Sequence, residues 1–217
     1  MDGQDKIFAL LDGVPLIIHT LAALNACPDI DTIVVAARPE DVVPLGRLCR
    51  QYDIDKIRSV VCGGQTRPLS VLGGLIALPS RAELAAVHDA VRPFATAELI
   101  SAVVSRAAKT GAAAPAVYPK DTVKLVTDER IERTVDRDTV MLIQTPQVFN
   151  TGLLKGALTR AIREGWEITD DCGAVERLGM LVSVVEGAYG NFKVTTPEDL
   201  IIAKALMEKS HENRTRV

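Results

Sequence analysis

The sequence predicts an α/β fold with a doubly wound, mostly parallel sheet. Short runs of apolar and β-branched residues alternate with longer helical patterns almost from end to end, and the runs are apolar at nearly every position. Strands covered by helices on both faces have this uniform character, whereas half-exposed strands alternate polar and apolar residues. Alternation of strands with helices indicates βαβ crossovers. The 217 residues fit one domain of this class.

The predicted elements follow one another in a regular order. The strand candidates are 31–37, 57–61, 84–87, 111–117, 140–143 and 181–185. Helical patterns lie near 14–26, 39–52, 67–78, 96–109, 150–164, 170–179 and 197–209. The last helix has the clearest start, because Thr196 can cap it and Pro197 occupies its first position.

One segment departs from this rhythm. Residues 122–135 alternate polar and apolar side chains around an Asp128-Glu129 turn, which predicts an antiparallel β-hairpin with two exposed faces. An isolated hairpin is marginal in water. We therefore expect this protruding arm, at about 118–137, to pack against something else, such as a second subunit. No repeat or linker interrupts the chain, so residues 1–217 form one predicted domain.

Composition excludes several classes of function. The net charge of −3 removes the general electrostatic reason to expect a nucleic-acid partner. No apolar run approaches the roughly 18–20 residues of a membrane span. The four cysteines have no Cys-x-x-Cys spacing, and the charged N-terminus does not resemble a secretion signal. These features predict a cytoplasmic protein with reduced thiols.

The segment from His88 to Pro93 follows the buried strand at 84–87. Open α/β sheets bind their ligands at the carboxyl ends of strands, so Asp89 and Arg92 stand where chemistry is usually placed. Asp89 could hold a divalent metal, and Arg92 could grip a phosphate. A loop ion pair that ends at a proline explains the same residues equally well.

The remaining candidates are weaker when each is taken alone. Gly63 and Gly64 precede a helix that contains Ser70. A glycine pair at this place could let backbone N–H groups bind an anion at the helix N-terminus, but it is more typical of a tight turn. The other candidates are Lys6, Arg137, Thr145, Lys193 and the segment 169–171. An ordinary position in a turn, on the surface, in the tail or at a helix start explains each of them without a functional role. Together, cationic and polar residues after successive strands, without a dominant general base, favour phosphate chemistry over hydrolysis or hydride transfer.

Several of these segments together resemble the 2-C-methyl-D-erythritol 4-phosphate cytidylyltransferase family. The matches are Gly63-Gly-x-x-Arg67-x-x-Ser70-Val, His88-Asp-Ala-Val-Arg-Pro93, Asp121-Thr-Val-Lys124, Thr134-Val-Asp-Arg137, Gln144-Thr-Pro-Gln-Val-Phe149, Ile168-Thr-Asp-Asp171 and Val185-Glu-Gly, followed by Lys193-Val-Thr-x-Pro-Glu-Asp199-Leu. They occur in order over almost the whole chain, so the set is far more specific than any single member.

The resemblance implies a Rossmann-like nucleotidyltransferase fold in a homodimer, with the hairpin as a dimerisation arm. It implies transfer of cytidylate from CTP to methylerythritol phosphate with Mg²⁺, and release of pyrophosphate. By matching position, Gly64 and Ser70 would contact cytosine. Asp89 would border the ribose and the metal, together with Ala90.

For the second substrate, the resemblance implies contacts from two subunits. Arg92, Thr145 and Lys193 would face the methylerythritol phosphate. Thr122 and Arg137 would reach it from the neighbour's arm, and Lys6 would stabilise the transition state. The implied catalytic residues are Lys6, Arg137 and Lys193.

The resemblance also predicts a segment ahead of Met1. The family begins with a buried strand and an Ala-Ala-Gly-x-Gly-x-Arg-Met loop that holds the triphosphate, and Met1 matches the last residue of that loop. A strand and loop of ordinary size amount to about 20 residues. Without them, CTP turnover is expected to be nearly abolished. Open alternatives are therefore a catalytically impaired truncated homologue, a ribitol-5-phosphate cytidylyltransferase and another sugar nucleotidyltransferase.

Overall fold

A five-stranded sheet, with helices packed on its faces, carries most of the candidate site. The computed structural model describes residues 6–215, with side chains described as far as Glu208. The strands are β1 (Leu10–Leu11), β2 (Val14–Pro15), β3 (Ile33–Ala37), β4 (Ile57–Cys62), β5 (Leu84–Val87), β6 (Ala112–Val117), β7 (Lys124–Thr127), β8 (Arg130–Thr134), β9 (Leu142–Ile143), β10 (Gln147–Asn150) and β11 (Ser183–Glu186). The helices are α1 (Leu16–Ala26), α2 (Val42–Gln51), α3 (Arg67–Ala77), α4 (Ala97–Thr110), α5 (Thr151–Glu164), α6 (Asp171–Glu176) and α7 (Pro197–Thr215).

The sheet contains both parallel and antiparallel pairs. Its strands lie in the order β11-β6-β10-β5, with β9 paired to β6. β11 and β6 are parallel, while β10 is antiparallel to both of its neighbours. β3 and β4 form a separate parallel pair. The predicted α/β class is confirmed. The mixed character of the sheet comes from β9, which pairs antiparallel with β6, and from β10, which the sequence pattern did not predict as a strand.

The predicted hairpin is present as β7 and β8. The two strands pair antiparallel, and every one of their residues is exposed. Asp128 and Glu129 connect them with positive φ angles of 47° and 61°, which is the backbone of the two-residue turn that matches strand twist. The expected strand ahead of Met1 lies outside the described residues.

Helices cover both faces of the five-stranded sheet. Along β10, Val148 packs towards α4 and the next residue, Phe149, packs towards α5 and α6; both are fully buried. The alanines of β6 alternate between the same two clusters. Small side chains let helices approach the sheet closely, so the apolar strand pattern reflects burial on two faces. No helix in the described part of the chain has the length and apolar character needed to cross a membrane.

Side-chain caps fix the starts of the helices that border the site. Thr66 accepts a hydrogen bond from the backbone N–H of Leu69 at the start of α3. The predicted cap at Thr196 is also present, because its Oγ1 accepts from the N–H of Asp199 at 3.2 Å. The carboxylate of Asp199 accepts in return from the N–H of Thr196 at 2.9 Å. Such reciprocal bonds fix the chain that leads into α7.

Candidate active site

Asp89 lies between two cationic side chains just after the end of β5. Its Oδ2 accepts a hydrogen bond from Nε of Arg92 at 3.1 Å and lies 3.3 Å from Nζ of Lys193. Burial raises the pKa of the Asp89 carboxyl, but the positive charges of Lys193 and Arg92 outweigh burial and hold the pKa below its ordinary value. The carboxyl is therefore ionised at neutral pH.

Backbone and side-chain contacts hold Lys193 beside this loop. The N–H of Val194 donates to the carbonyl of Val91 at 2.9 Å. Arg92 also donates from its Nη1 to the carbonyl of Asn191 at 2.7 Å. The loop after β5 therefore makes hydrogen bonds to the residues on both sides of Lys193 in the chain, Asn191 and Val194. These bonds give a surface-exposed lysine a defined position.

Thr145 joins the same cluster from the segment before β10. Its Oγ1 accepts from the backbone N–H of Asp89 at 3.0 Å and lies 2.9 Å from Nδ1 of His88. The other ring nitrogen of His88 lies 3.2 Å from the carbonyl of Arg92. Burial lowers the pKa of His88 to about 4, so the ring is neutral at pH 7.

The buried side-chain amides of Gln144 and Asn191 hold the backbone around Thr145 in place. Asn191 is fully buried, and its Nδ2 donates to the carbonyl of Thr145 at 2.9 Å and to Oε1 of Gln144 at 3.3 Å. Gln144 donates in turn from its Nε2 to the carbonyl of Ala188 at 2.9 Å. These amides fix both chain segments that carry Thr145 and Lys193.

The glycine-rich turn between β4 and α3 is closed by Ser70. The hydroxyl of Ser70 accepts from the N–H of Gly64 at 3.1 Å and lies 3.0 Å from the carbonyl of Thr66, to which it donates. A Cβ atom at Gly64 would overlap the side chain of Leu69. The tight turn therefore requires glycine at this position, and it brings Gly64 and Ser70 together as the sequence motif predicts.

A buried ion pair connects this turn with α6 and β10. Nη2 of Arg67 donates to Oδ2 of Asp171 at 2.6 Å, and the Asp171 side chain is 0% exposed. Burial raises the pKa of Asp171, although the charge and hydrogen bond of Arg67 act in the opposite direction. Oε1 of Gln147 accepts from the N–H groups of Asp171 and Cys172 at 3.1 and 3.2 Å.

The remaining predicted site residues lie at or outside the edge of this cluster. Lys6 lines a small cavity with Val194 and Thr195, the two residues that follow Lys193 in the chain. The carbonyl of Ala90 accepts from Oγ1 of Thr20 at 2.9 Å, so its backbone is anchored to α1. Thr122 and Arg137 are exposed, and no contact within the described residues joins either of them to Asp89.

The sequence pattern did not identify several residues that hold the site. They are His88, Gln144, Gln147 and Asn191, together with the ion pair of Arg67 and Asp171. Each acts through contacts between segments that are distant in the chain. The signal available in the sequence was the position of these residues, except Asn191, inside the ordered motifs. A cavity of about 580 Å³ between α2 and β4 contains none of the site residues.

Comparison with known proteins gives one consistent family. Residues 1–209 match the family model for 2-C-methyl-D-erythritol 4-phosphate cytidylyltransferase. The chain is 42% identical over 205 residues to the protein of that name from Halalkalibacterium halodurans, covering 94% of this chain and 90% of the relative. It is 40% identical over 206 residues to the one from Syntrophus aciditrophicus, covering 94% and 88%.

Solved structures give the same result. The 4-diphosphocytidyl-2C-methyl-D-erythritol synthase of Anaerococcus prevotii superimposes with a TM-score of 0.87 at 34% identity, covering 94% of each chain. The 2-C-methyl-D-erythritol 4-phosphate cytidylyltransferase of Thermus thermophilus superimposes with a TM-score of 0.81 at 36% identity, again covering 94% of each chain.

Proposed function

The chain belongs to the 2-C-methyl-D-erythritol 4-phosphate cytidylyltransferase family, and we propose that the cluster around Asp89 binds the reactants of that family's reaction. The activity is transfer of the cytidylyl group of CTP to 2-C-methyl-D-erythritol 4-phosphate, in the non-mevalonate route to isoprenoids. One observation carries the assignment of the site: a single carboxylate oxygen of Asp89 contacts two cations, Arg92 and Lys193. The cluster of two cationic side chains and one carboxylate has a net positive charge, which would attract a phosphate group.

The reaction joins two anionic molecules. A phosphate oxygen of methylerythritol phosphate forms a bond with the α-phosphorus of CTP, and the bond from that phosphorus to the bridging oxygen breaks. Pyrophosphate leaves with the electron pair. The protein contributes position and charge stabilisation to such a transfer. We propose that Arg92 and Lys193 hold the methylerythritol phosphate, and that Lys6, which lines a small cavity with Val194, stabilises the charge at the α-phosphate.

The nucleotide is proposed to bind at the other side of the cluster. Gly64 and Ser70 form one hydrogen-bonded turn whose backbone can approach a base closely. Asp89 and Ala90 would border the ribose. Thr145, bonded to the N–H of Asp89, would then lie between the nucleotide and the second substrate.

Asp89 also fits a Mg²⁺ ion that is shared with substrate. Within residues 6–215 there is no group of three or more His, Cys, Asp or Glu side chains that could hold a metal by themselves. Mg²⁺ at nucleotide sites is commonly held by one or two carboxylates and by the phosphates, and Asp89 is an ionised carboxylate in the right place. When bound, the ion would supply charge neutralisation at the triphosphate.

The arm is proposed to act across a homodimer. All residues of β7 and β8 are exposed, including the apolar side chains of Leu125, Val126 and Ile131. Exposed apolar side chains on a two-stranded hairpin favour burial against a second copy. Thr122 and Arg137 flank this hairpin, and we propose that they contact the methylerythritol phosphate bound by the partner.

The thiols favour a reducing compartment. Cys27, Cys49 and Cys172 are buried and unpaired, and Cys62 is an exposed free thiol. Free thiols of this kind are typical of cytoplasmic proteins. We propose a cytoplasmic location and small-molecule substrates, with no nucleic acid as a partner.

The assay is pyrophosphate release from CTP in the presence of Mg²⁺, with methylerythritol phosphate or ribitol 5-phosphate as the acceptor. For a polypeptide that carries the glycine-rich loop expected ahead of Met1, we expect release with methylerythritol phosphate and little with ribitol 5-phosphate. CTP binding, measured by calorimetry, is the companion experiment. Preference for ribitol 5-phosphate would contradict the proposed acceptor, and CTP binding without release from either acceptor would indicate an impaired homologue.

A further inference from the structure

The ring of His88 is fixed by two hydrogen bonds of different kinds. Nε2 lies 3.2 Å from the carbonyl oxygen of Arg92, and Nδ1 lies 2.9 Å from Oγ1 of Thr145. A carbonyl oxygen can only accept a hydrogen bond, so the ring proton must be on Nε2.

The tautomer of His88 determines what Thr145 can offer a ligand. With its proton on Nε2, the neutral ring leaves Nδ1 as an acceptor, so the Thr145 hydroxyl donates its only proton to Nδ1. The oxygen of this hydroxyl also accepts the N–H of Asp89 at 3.0 Å. A hydroxyl has one proton and two lone pairs. Thr145 therefore has one lone pair and no proton left for a substrate.

We propose that His88 is a positioning residue that fixes Thr145 as a hydrogen-bond acceptor for a hydroxyl group of the polyol substrate. A phosphate at neutral pH presents acceptor oxygens, which a hydroxyl without a free proton cannot bind. The substrate's phosphate therefore lies towards the cations of Arg92 and Lys193, and its hydroxylated carbon chain lies against Thr145. This assignment of orientation rests on the proposed function.

Two substitutions separate this role from a structural one. The side-chain oxygen of His88→Asn occupies the region of Nδ1, so it keeps an acceptor for Thr145 and loses the donor to Arg92. His88→Gln places an amide N–H in the region of Nε2, so it keeps the donor and loses the acceptor at Nδ1. If the only role of His88 is to hold the loop through its hydrogen bond to the Arg92 carbonyl, His88→Gln should retain activity and His88→Asn should lose it.

The kinetic experiment measures kcat and KM for both substrates in the wild type, His88→Asn, His88→Gln and Thr145→Val. We expect His88→Gln and Thr145→Val to raise KM for methylerythritol phosphate about ten-fold, the effect of losing one hydrogen bond. KM for CTP should stay within about two-fold, and His88→Asn, which keeps the acceptor for Thr145, should raise KM for methylerythritol phosphate less than His88→Gln does. The reverse order of the two His88 variants, or equal increases of both KM values, would overturn the proposal.

A spectroscopic measurement keeps this test independent of turnover. In the ¹⁵N NMR spectrum of the wild-type protein at pH 7, we expect Nε2 of His88 to be protonated and Nδ1 to be unprotonated. A doubly protonated ring, or the opposite tautomer, would overturn the role of His88. Absence of turnover with methylerythritol phosphate, together with the expected NMR spectrum, would instead contradict the proposed function.

Discussion

Nζ of Lys193 lies 3.3 Å from Oδ2 of Asp89, the oxygen that also accepts the Nε–H of Arg92. The two cations share one carboxylate, so neither is fully neutralised. The side chains of Arg92 and Asp89 are only 12% and 20% exposed, so water screens their attraction to an incoming phosphate less than it does in bulk solution. Asp89 therefore positions both cations and leaves charge for the substrate.

Lys193→Gln removes one of these charges. We expect kcat/KM for methylerythritol phosphate to fall about 100-fold or more, the effect of losing one group that stabilises charge in the transition state. The side chain is 47% exposed, so the free energy of unfolding should change little. Lys204→Gln, on the exposed side of α7, is the matched control in the same pyrophosphate assay. Equal activity of the two variants would exclude Lys193 from the site.

Gly64→Ala tests the turn proposed to hold the nucleotide. The added Cβ would overlap Leu69, so the turn must open and we expect weaker CTP binding in calorimetry. Gly74→Ala, within α3, meets open space and should stabilise the helix by about 0.5–1 kcal/mol. The nucleotide assignment would be wrong if both variants bound CTP as tightly as the wild type.

Arg67 and Asp171 should respond unequally to substitution. Arg67→Met leaves the carboxylate of Asp171 buried without a partner, and we expect a loss of about 3 kcal/mol in the free energy of unfolding. Asp171→Asn leaves Arg67, whose side chain is 38% exposed and can be hydrated, so the loss should be about 1 kcal/mol. Urea unfolding at pH 7.5 measures both. A larger loss for Asp171→Asn would contradict this account of the ion pair.

His88 makes stability depend on pH. Its pKa is about 4 in the folded protein and about 6.5 in the unfolded chain. Above pH 6.5 the ring is neutral in both states and contributes nothing. Between pH 6.5 and 4 only the unfolded chain binds the proton, so stability falls as pH falls, by about 3 kcal/mol in total.

Urea unfolding between pH 7.5 and 4.5 measures this loss. His88→Asn removes the titrating ring and serves as the comparison, since its free energy of unfolding should fall less steeply over the same range. Parallel curves for the two proteins would show that the ring is protonated in the folded state at an ordinary pH.

Arg137 tests the homodimer. Arg137→Ala should lower turnover strongly without loss of stability, because the side chain is 62% exposed. Each site is proposed to combine the body of one subunit with the arm of the other. Mixing Arg137→Ala with Lys193→Gln after denaturation and refolding should then restore up to about a quarter of the sites, those in mixed dimers. Activity no higher than that of the separate variants would place Arg137 in its own subunit's site.

The sequence predicted what depends on local pattern. Apolar runs and polar–apolar alternation predicted β3 to β9, β11 and most helices, and caps such as Thr66 and Thr196 act within a few residues. The two-residue strands β1 and β2 were not predicted. β10 escaped prediction because its four residues follow Thr145-Pro146 and become a strand only by pairing with β5 and β6.

The site was predictable only as a set of motifs. Asp89 and Arg92 were identified from their place after β5, but the contact of Asp89 with Lys193 depends on the backbone bond between Val91 and Val194. Nothing local indicates which nitrogen of His88 carries a proton. That state is fixed by a carbonyl and a hydroxyl from different parts of the chain.

The antiparallel strand β10 couples the two loops that are proposed to bind the substrates. Thr145, just before it, contacts the loop of Asp89, while Gln147, its first residue, contacts α6 and through Asp171 the helix that begins at Arg67. A shift of this one strand would alter the loops proposed for both substrates. If either substrate shifts this strand, linkage requires that CTP and methylerythritol phosphate change each other's affinity by the same factor, whichever binds first.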